Sequence, residues 1–255
     1  MNAVWVVAKN TFREAVRDRL LTTILIFGAV LVASSVVLAP LTLGEEARVI
    51  RDLGMTAVSI FAMLLVVFVG TGLVYREIEL RTIYATLTQP LSRTQFLIGK
   101  FFGLYATVLM SIAVLGTLYF GIVGIFASGP PGDLLLAIFL VALESAVITA
   151  VAVFFSALAS PFLSAVFTFL VYVAGHLATD LSLLAKHASS KGLAVVTEGM
   201  ALLLPALHTF HVRDNILSGI PIPPARIAWC VLTAVTYTTA ALIAASAAFA
   251  RRDFE

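Results

Sequence analysis

The chain contains long runs of apolar residues that are almost free of charged side chains. A helix needs about 20 such residues to cross the ~30 Å hydrocarbon layer of a bilayer. Runs of suitable length lie near residues 20–40, 54–75, 101–127, 134–158, 161–181 and 227–249. Apolarity in them is continuous rather than alternating, which favours helices over the strands of a barrel. We therefore predict an all-α integral membrane protein with six transmembrane helices.

Composition agrees with this prediction and excludes several classes of protein. Hydrophobic residues make up 61% of the chain and charged residues 12%, against about 45–50% and about 25% in typical soluble domains. A soluble enzyme, a nucleic-acid-binding protein and a disordered tail are excluded on this basis. Residues 1–255 are expected to form a single transmembrane domain.

The distribution of Lys and Arg predicts the orientation. Six spans place ten of the 16 basic residues on one side of the membrane, and these are Lys9, Arg13, Arg17, Arg19, Arg76, Arg81, Arg93, Lys100, Arg251 and Arg252. The side richer in basic residues is normally cytoplasmic, so both termini are predicted to be cytoplasmic. The apolar run 193–207 is too short for a seventh span. We interpret it as a helix on the outer surface, within the outer segment 182–226.

Residues 1–19 form a distinct N-terminal segment. One helical face is apolar and its flank is basic, with Trp5, Ala8, Phe12 and Val16 on the face and Lys9, Arg13 and Arg17 on the flank. This pattern predicts an amphipathic helix at the cytoplasmic headgroup surface. A plain topology signal fits the pattern equally well.

Few ionisable residues are candidates for chemistry within the membrane. Glu144 is the only one expected well inside a span, either as a protonated side chain bonded to Ser or Thr of a neighbouring helix or as part of a pathway or gate. His176 and Asp180 lie one turn apart and are interpreted as a local structural pair. His208 and His211 lack the company of other ligands, so no metal site is predicted.

Motifs of known catalytic or nucleotide-binding function are missing from the sequence. Gly99-Lys100 lacks the upstream Gly of a phosphate-binding loop, and neither H-E-x-x-H nor G-x-S-x-G occurs. No cofactor is therefore expected in this chain. Gly99 and Gly103 form a small-xxx-small pair that permits close helix packing.

The segment 76–100, between the second and third spans, combines a short polar helix, a turn marked by Pro90 and a basic re-entry into the membrane. Such a cytoplasmic elbow is suited to receiving a push from a soluble partner. A merely solvated charged loop has the same composition.

These residues resemble the permease subunits of type-2 ABC exporters. The matching pattern consists of Arg76, Glu77, Thr82, Pro90, Ser92, Arg93, Gly99 and Lys100. Among the branches of that family, the chain is most similar to permeases for the maturation of multicopper enzymes such as nitrous-oxide reductase. It departs from the family in its short outer region between the first two spans, about residues 41–53.

The resemblance implies a non-catalytic subunit that pairs with a second permease copy, as a homodimer, and with two ATPase subunits that bind ATP and Mg. The coupling residues would be Arg76, Glu77, Glu79, Arg81, Thr82, Pro90 and Arg93. The Ser160-Pro161 hairpin would be a second, minor contact. The expected location is the cytoplasmic (inner) membrane of a bacterium or archaeon, with room for a partner protein on the outer, periplasmic side.

Two alternatives stay open at the level of sequence. A secondary transporter centred on Glu144 predicts internal repeats and broken helices, and no convincing repeat is present. A non-transporting scaffold subunit fits the composition but gives no reason for a structured elbow.

Overall fold

The computed structural model describes residues 3–42, 44–72, 92–127, 131–177, 205–210 and 222–250. Within these ranges the chain forms helices and no strand, which confirms the all-α prediction. The helices are α1 Ala3–Val16, α2 Arg19–Leu38, α3 Glu46–Leu65, α4 Arg93–Phe126, α5 Pro131–Leu158, α6 Pro161–His176 and α7 Pro224–Ala250. A π-helical turn, Val66–Gly70, continues α3, and short 3-10 turns occupy Ala39–Leu41 and Leu207–Phe210.

Five helical stretches are long and apolar enough to cross a bilayer. They are Arg19–Leu41, Glu46–Gly70, Thr94–Phe126, Asp133–Leu158 and Pro224–Phe249. Within the described residues, the run predicted as the fifth span forms α6, whose 16 residues rise about 24 Å at 1.5 Å per residue. That is shorter than the ~30 Å hydrocarbon layer. The predicted spans are therefore supported in five cases, with α6 as a shorter apolar helix.

Two helices begin well before the apolar runs that predicted them. Helix α3 starts at Glu46 rather than near residue 54, so Arg48 and Arg51 lie on a helix and not in a connecting segment. Helix α4 starts at Arg93 rather than near residue 101. Apolarity marks only the part of a helix that lipid surrounds, whereas caps and polar first turns decide where the helix begins.

The buried side chains form two clusters, one at each end of the bundle. One cluster joins α1, the start of α4 and the end of α7 through Val7, Phe96 and Phe249. The Phe96 and Phe249 rings are stacked with their centroids 6.3 Å apart. We call this the α1 end. The opposite end contains the start of α3, the end of α4 and the Leu207–Phe210 turn.

Helix α5 is the central element of the bundle. It packs against α3, α4, α6 and α7, and its contact face contains the fully buried small residues Ala137, Ala150, Ala152 and Ala157. Small side chains let helix backbones approach closely where no hydrophobic drive exists between lipid-embedded helices. A side chain on α5 can therefore contact several other helices of the bundle.

A buried tyrosine joins α4 to α3 at the opposite end. The Tyr119 hydroxyl donates to the backbone carbonyl of Arg51 at 2.8 Å. Gly54 leaves the space for its ring, since a Cβ built there would overlap Tyr119 Cε2. This contact fixes the register between the two helices.

Candidate functional site

The predicted coupling segment lies largely outside the described residues. Arg76, Glu77, Glu79, Arg81, Thr82 and Pro90 all fall there, and Arg93 is the first residue of α4. The structure does show how α4 begins. The Gln95 backbone N–H donates to Ser92 Oγ, and the Ser92 N–H donates to Gln95 Oε1, each at 3.2 Å. This reciprocal capping box is readable in the sequence as Ser-x-x-Gln, and sequence reasoning missed it.

Lys100 has a different environment from the one predicted. It was expected as a basic residue flanking the membrane, but its side chain is only 1% exposed. Its Nζ lies 5.7 Å from the centroid of the Phe96 ring, within cation–π range. Glu144 is therefore not the only ionisable residue inside the bundle. The difference follows from the earlier start of α4, which places Lys100 two turns into a helix covered by its neighbours.

The close packing predicted from Gly99 and Gly103 is present, and the partner is α1. A Cβ at Gly99 would lie 2.7 Å from the Val7 Cβ, and one at Gly103 would lie 2.5 Å from the Ala8 carbonyl oxygen. Only glycine permits this approach of the two helices. The N-terminal helix is therefore seated on α4 at the end of the coupling segment 76–100.

Glu144 pairs with a histidine from the neighbouring helix. Its Oε1 lies 3.2 Å from His176 Nε2, and the Glu144 side chain is 6% exposed. The predicted Ser or Thr partner is therefore replaced by His176. The predicted local partner of His176, Asp180, lies outside the described residues. The pair connects α5 to α6 within the bundle.

Hydrogen bonding constrains the protons of this pair. His176 Nδ1 lies 2.9 Å from the Tyr172 carbonyl oxygen, so Nδ1 carries a proton and donates it. Nε2 then either accepts from a protonated Glu144 or, as part of an imidazolium, donates to the carboxylate. Both arrangements hold one proton between the two side chains and have no net charge. Neutrality makes burial of the pair far less costly than burial of a lone carboxylate.

A small cavity adjoins Glu144 on the side of α3. Its volume is about 10 Å³, and Ser59, Met63, Val66 and Tyr172 contribute to its lining, so it has room for about one water molecule. The π-helical turn begins at Val66. Such turns are frequent at functional sites, but the apolar sequence Val66–Gly70 contains no signal for one.

The described end of the run predicted as an outer-surface helix, residues 205–207, packs against the bundle. Most of the run 193–207 is outside the described residues, but Leu207 and Phe210 are buried in the bundle core. Cys230 of α7 donates its thiol to the Thr209 carbonyl at 3.3 Å. The Leu207–Phe210 turn therefore packs against α5 and α6 at the end of the bundle opposite the α1 end. His208 lies half-buried in it, whereas His211 falls outside the described residues.

Within the described residues, the five long apolar helices are those of a multi-pass membrane protein. The chain belongs to the ABC-2 family transporter proteins, whose sequence pattern matches residues 5–254. It is thus a permease component of an ABC transporter, a class of membrane transport component that is generally non-catalytic and works with ATPase partners. No protein of curated function matches the chain.

Proposed function

We propose that this chain is the path or force-transmitting subunit of an ABC exporter, driven by two separate ATPase subunits and paired with a second copy of itself. ATP and Mg would be bound by the partners, and the segment 76–100 would receive the push. Family membership supports the permease role and argues against a secondary transporter centred on Glu144.

The packing of the α1 end carries the proposal. Helix α4 begins at a capping box inside the coupling segment 76–100, so the last residues of that segment are the first turns of α4. Its first turns contact α1 through glycine-mediated packing and α7 through Phe96 and Phe249. A push delivered just before residue 93 would therefore move three helices together instead of deforming one.

Basic residues support a cytoplasmic position for the α1 end. Of the nine Lys and Arg residues within the described ranges, six lie at this end: Lys9, Arg13, Arg17, Arg19, Arg93 and Lys100. Such an excess favours the cytoplasmic side. Both termini would then be cytoplasmic, in the inner membrane of a bacterium or archaeon, with α1 at the headgroup surface. The branch serving multicopper-enzyme maturation, with a periplasmic partner protein, is our proposal for the biological setting.

Glu144 and His176 are proposed as a gate element of the path. The two residues join α5 to α6, and the irregular turn of α3 adjoins them. A tilt of α6 would lengthen the Nε2–Oε1 contact. Closed and open states of the path would then differ in whether the pair is intact.

The experiment is mild purification of the C-terminally tagged chain from its native membrane. We expect an ATP-hydrolysing polypeptide in stoichiometric amount. Charge reversal at Glu77 or Arg81 should abolish ATP-dependent activity while insertion into the membrane is retained. The matched control is Arg48→Glu, since Arg48 lies at the opposite end in an exposed pair with Glu45, and such pairs contribute little.

Two results would contradict the proposal. Recovery of the chain alone, without any ATPase under gentle conditions, would favour a scaffold. Full ATP-dependent activity in the Glu77 and Arg81 variants would remove the segment 76–100 from the coupling path, even if an ATPase is bound.

A further inference from the structure

An apolar groove runs along the surface of the α1 end, between α1 and α4. Its volume is about 830 Å³, within the range of pockets that hold small organic ligands. The lining is almost entirely apolar and includes Trp5, Ala8 and Phe12 from α1 and Phe102, Ala106 and Leu109 from α4. Among the described residues that line the groove, Lys9 is the one with a charged side chain.

The groove lies where the acyl region of a bilayer would meet its headgroups. Leu21, in the first turn of the α2 span, shares a small cavity with Leu104 of α4. Residues 102–109 of α4 are therefore level with the start of the α2 span, and residues 93–101 extend beyond it. The groove opens into lipid at this level, and Lys9 is exposed to reach the headgroup layer.

The exposed aromatic rings of the groove face the acyl region of the bilayer. Trp5 is 64% exposed and Phe102 is 52% exposed. Because lipid and not water surrounds these rings, an acyl chain in the groove gains van der Waals packing, and the preference for one lipid class depends on the headgroup contact. The single cation among the lining residues complements a phosphate group, and basic residues at this depth attract anionic lipid.

We propose that this groove binds one anionic phospholipid, with an acyl chain between Trp5 and Phe102 and the headgroup phosphate at Lys9. This proposal requires that the chain is embedded in a bilayer, and it does not require an ATPase partner. The bound lipid would fill the joint between α1 and α4 beside Gly103, which also lines the groove and lies where the two backbones already touch.

Trp5 provides a direct probe of this site. The chain has only two tryptophans, Trp5 and Trp229, so the Trp229→Phe variant reports on the groove alone. This variant would be reconstituted in phosphatidylcholine containing a minor fraction of dibrominated phosphatidylglycerol, or the same fraction of dibrominated phosphatidylcholine. We expect the brominated anionic lipid to quench Trp5 fluorescence more strongly.

Two substitutions separate the charge from the cavity. Lys9→Gln should reduce the preference for the anionic lipid about fivefold, the effect of one basic residue near the surface. Arg13→Gln, on the same helix but not lining the groove, should leave it unchanged. Ala106→Phe should fill the groove and reduce quenching by both lipids, whereas Val114→Phe, at an exposed site farther along α4, should not.

Either of two results would overturn the proposal. Equal quenching by both lipids, unaffected by Lys9→Gln, would mean that Trp5 meets only ordinary surrounding lipid. Absence of quenching by either lipid would mean that protein covers the groove, as a second copy of the chain would. Neither result depends on ATPase binding, so failure here is distinguishable from failure of the permease proposal.

Discussion

Replacing Gly103 by Ala should loosen α1 from its seat on α4. The added Cβ would lie 2.5 Å from the Ala8 carbonyl oxygen and 2.6 Å from the Thr11 Cβ. A backbone carbonyl cannot rotate out of the way, so α1 must move. Overpacking of this kind typically costs about 1–3 kcal/mol. The better helix propensity of Ala cancels, because α4 stays helical whether α1 is seated or detached.

This cost converts into a measurable change in exposure. At 1.4 kcal/mol per tenfold change, the population with α1 detached should rise about 5- to 150-fold. Thr11 of α1 is fully buried, so the substitution Thr11→Cys in a Cys230→Ser background reports detachment through its rate of maleimide labelling. Adding Gly103→Ala to this reporter protein should accelerate labelling by that factor.

The control for this measurement is on the same helix. Gly121→Ala makes the same chemical change where an added Cβ meets nothing within 4 Å, so the reporter thiol at position 11 should keep its parental labelling rate. The reasoning is refuted if Gly103→Ala also labels at the parental rate, or if Gly121→Ala accelerates labelling equally.

Glu144→Gln should preserve assembly and melting temperature, because an amide can still bond to the His176 imidazole; loss of the assembled protein in gel filtration would indicate a charged structural pair. His176→Phe keeps a ring beside Tyr172 but removes the base, so the infrared spectrum of this variant should contain the band of a protonated Glu144 carboxyl. The Glu144→Gln/His176→Phe double variant should lack that band. A His176→Phe spectrum without the band would contradict the shared-proton arrangement. Tyr119→Phe removes the bond to the Arg51 carbonyl and should cost about 1 kcal/mol, or roughly 2–4 °C in melting temperature; an unchanged melting curve would count against this contact.

The membrane spans were predictable because lipid imposes a length and an apolarity that sequence displays directly. The first residues of the helices were harder to predict from the sequence. The beginning of α4 depends on a side-chain cap at Ser92, and that of α3 on polar residues such as Glu46 that a search for apolar runs passes over. The cap of α4 could have been predicted from the sequence, since Ser-x-x-Gln is a local pattern.

The candidate site was predictable only in part, because its geometry depends on contacts between helices. Glu144 was identified from its position in an apolar run, but its partner His176 lies 32 positions away and is brought near by the packing of α6 on α5. The spacing of Gly99 and Gly103 correctly indicated close packing, without indicating that α1 is the partner. The π-helical turn beside Glu144 has no local signal.

The neutrality of the Glu144–His176 pair has an electrical consequence. Moving one elementary charge through the full membrane potential involves about 2.3 kcal/mol per 100 mV. A pair that holds one proton between a carboxyl and an imidazole carries no net charge when α5 and α6 move as one body. The membrane potential then does no work on this part of the bundle, and only separation of the two side chains as ions would make the step sensitive to voltage.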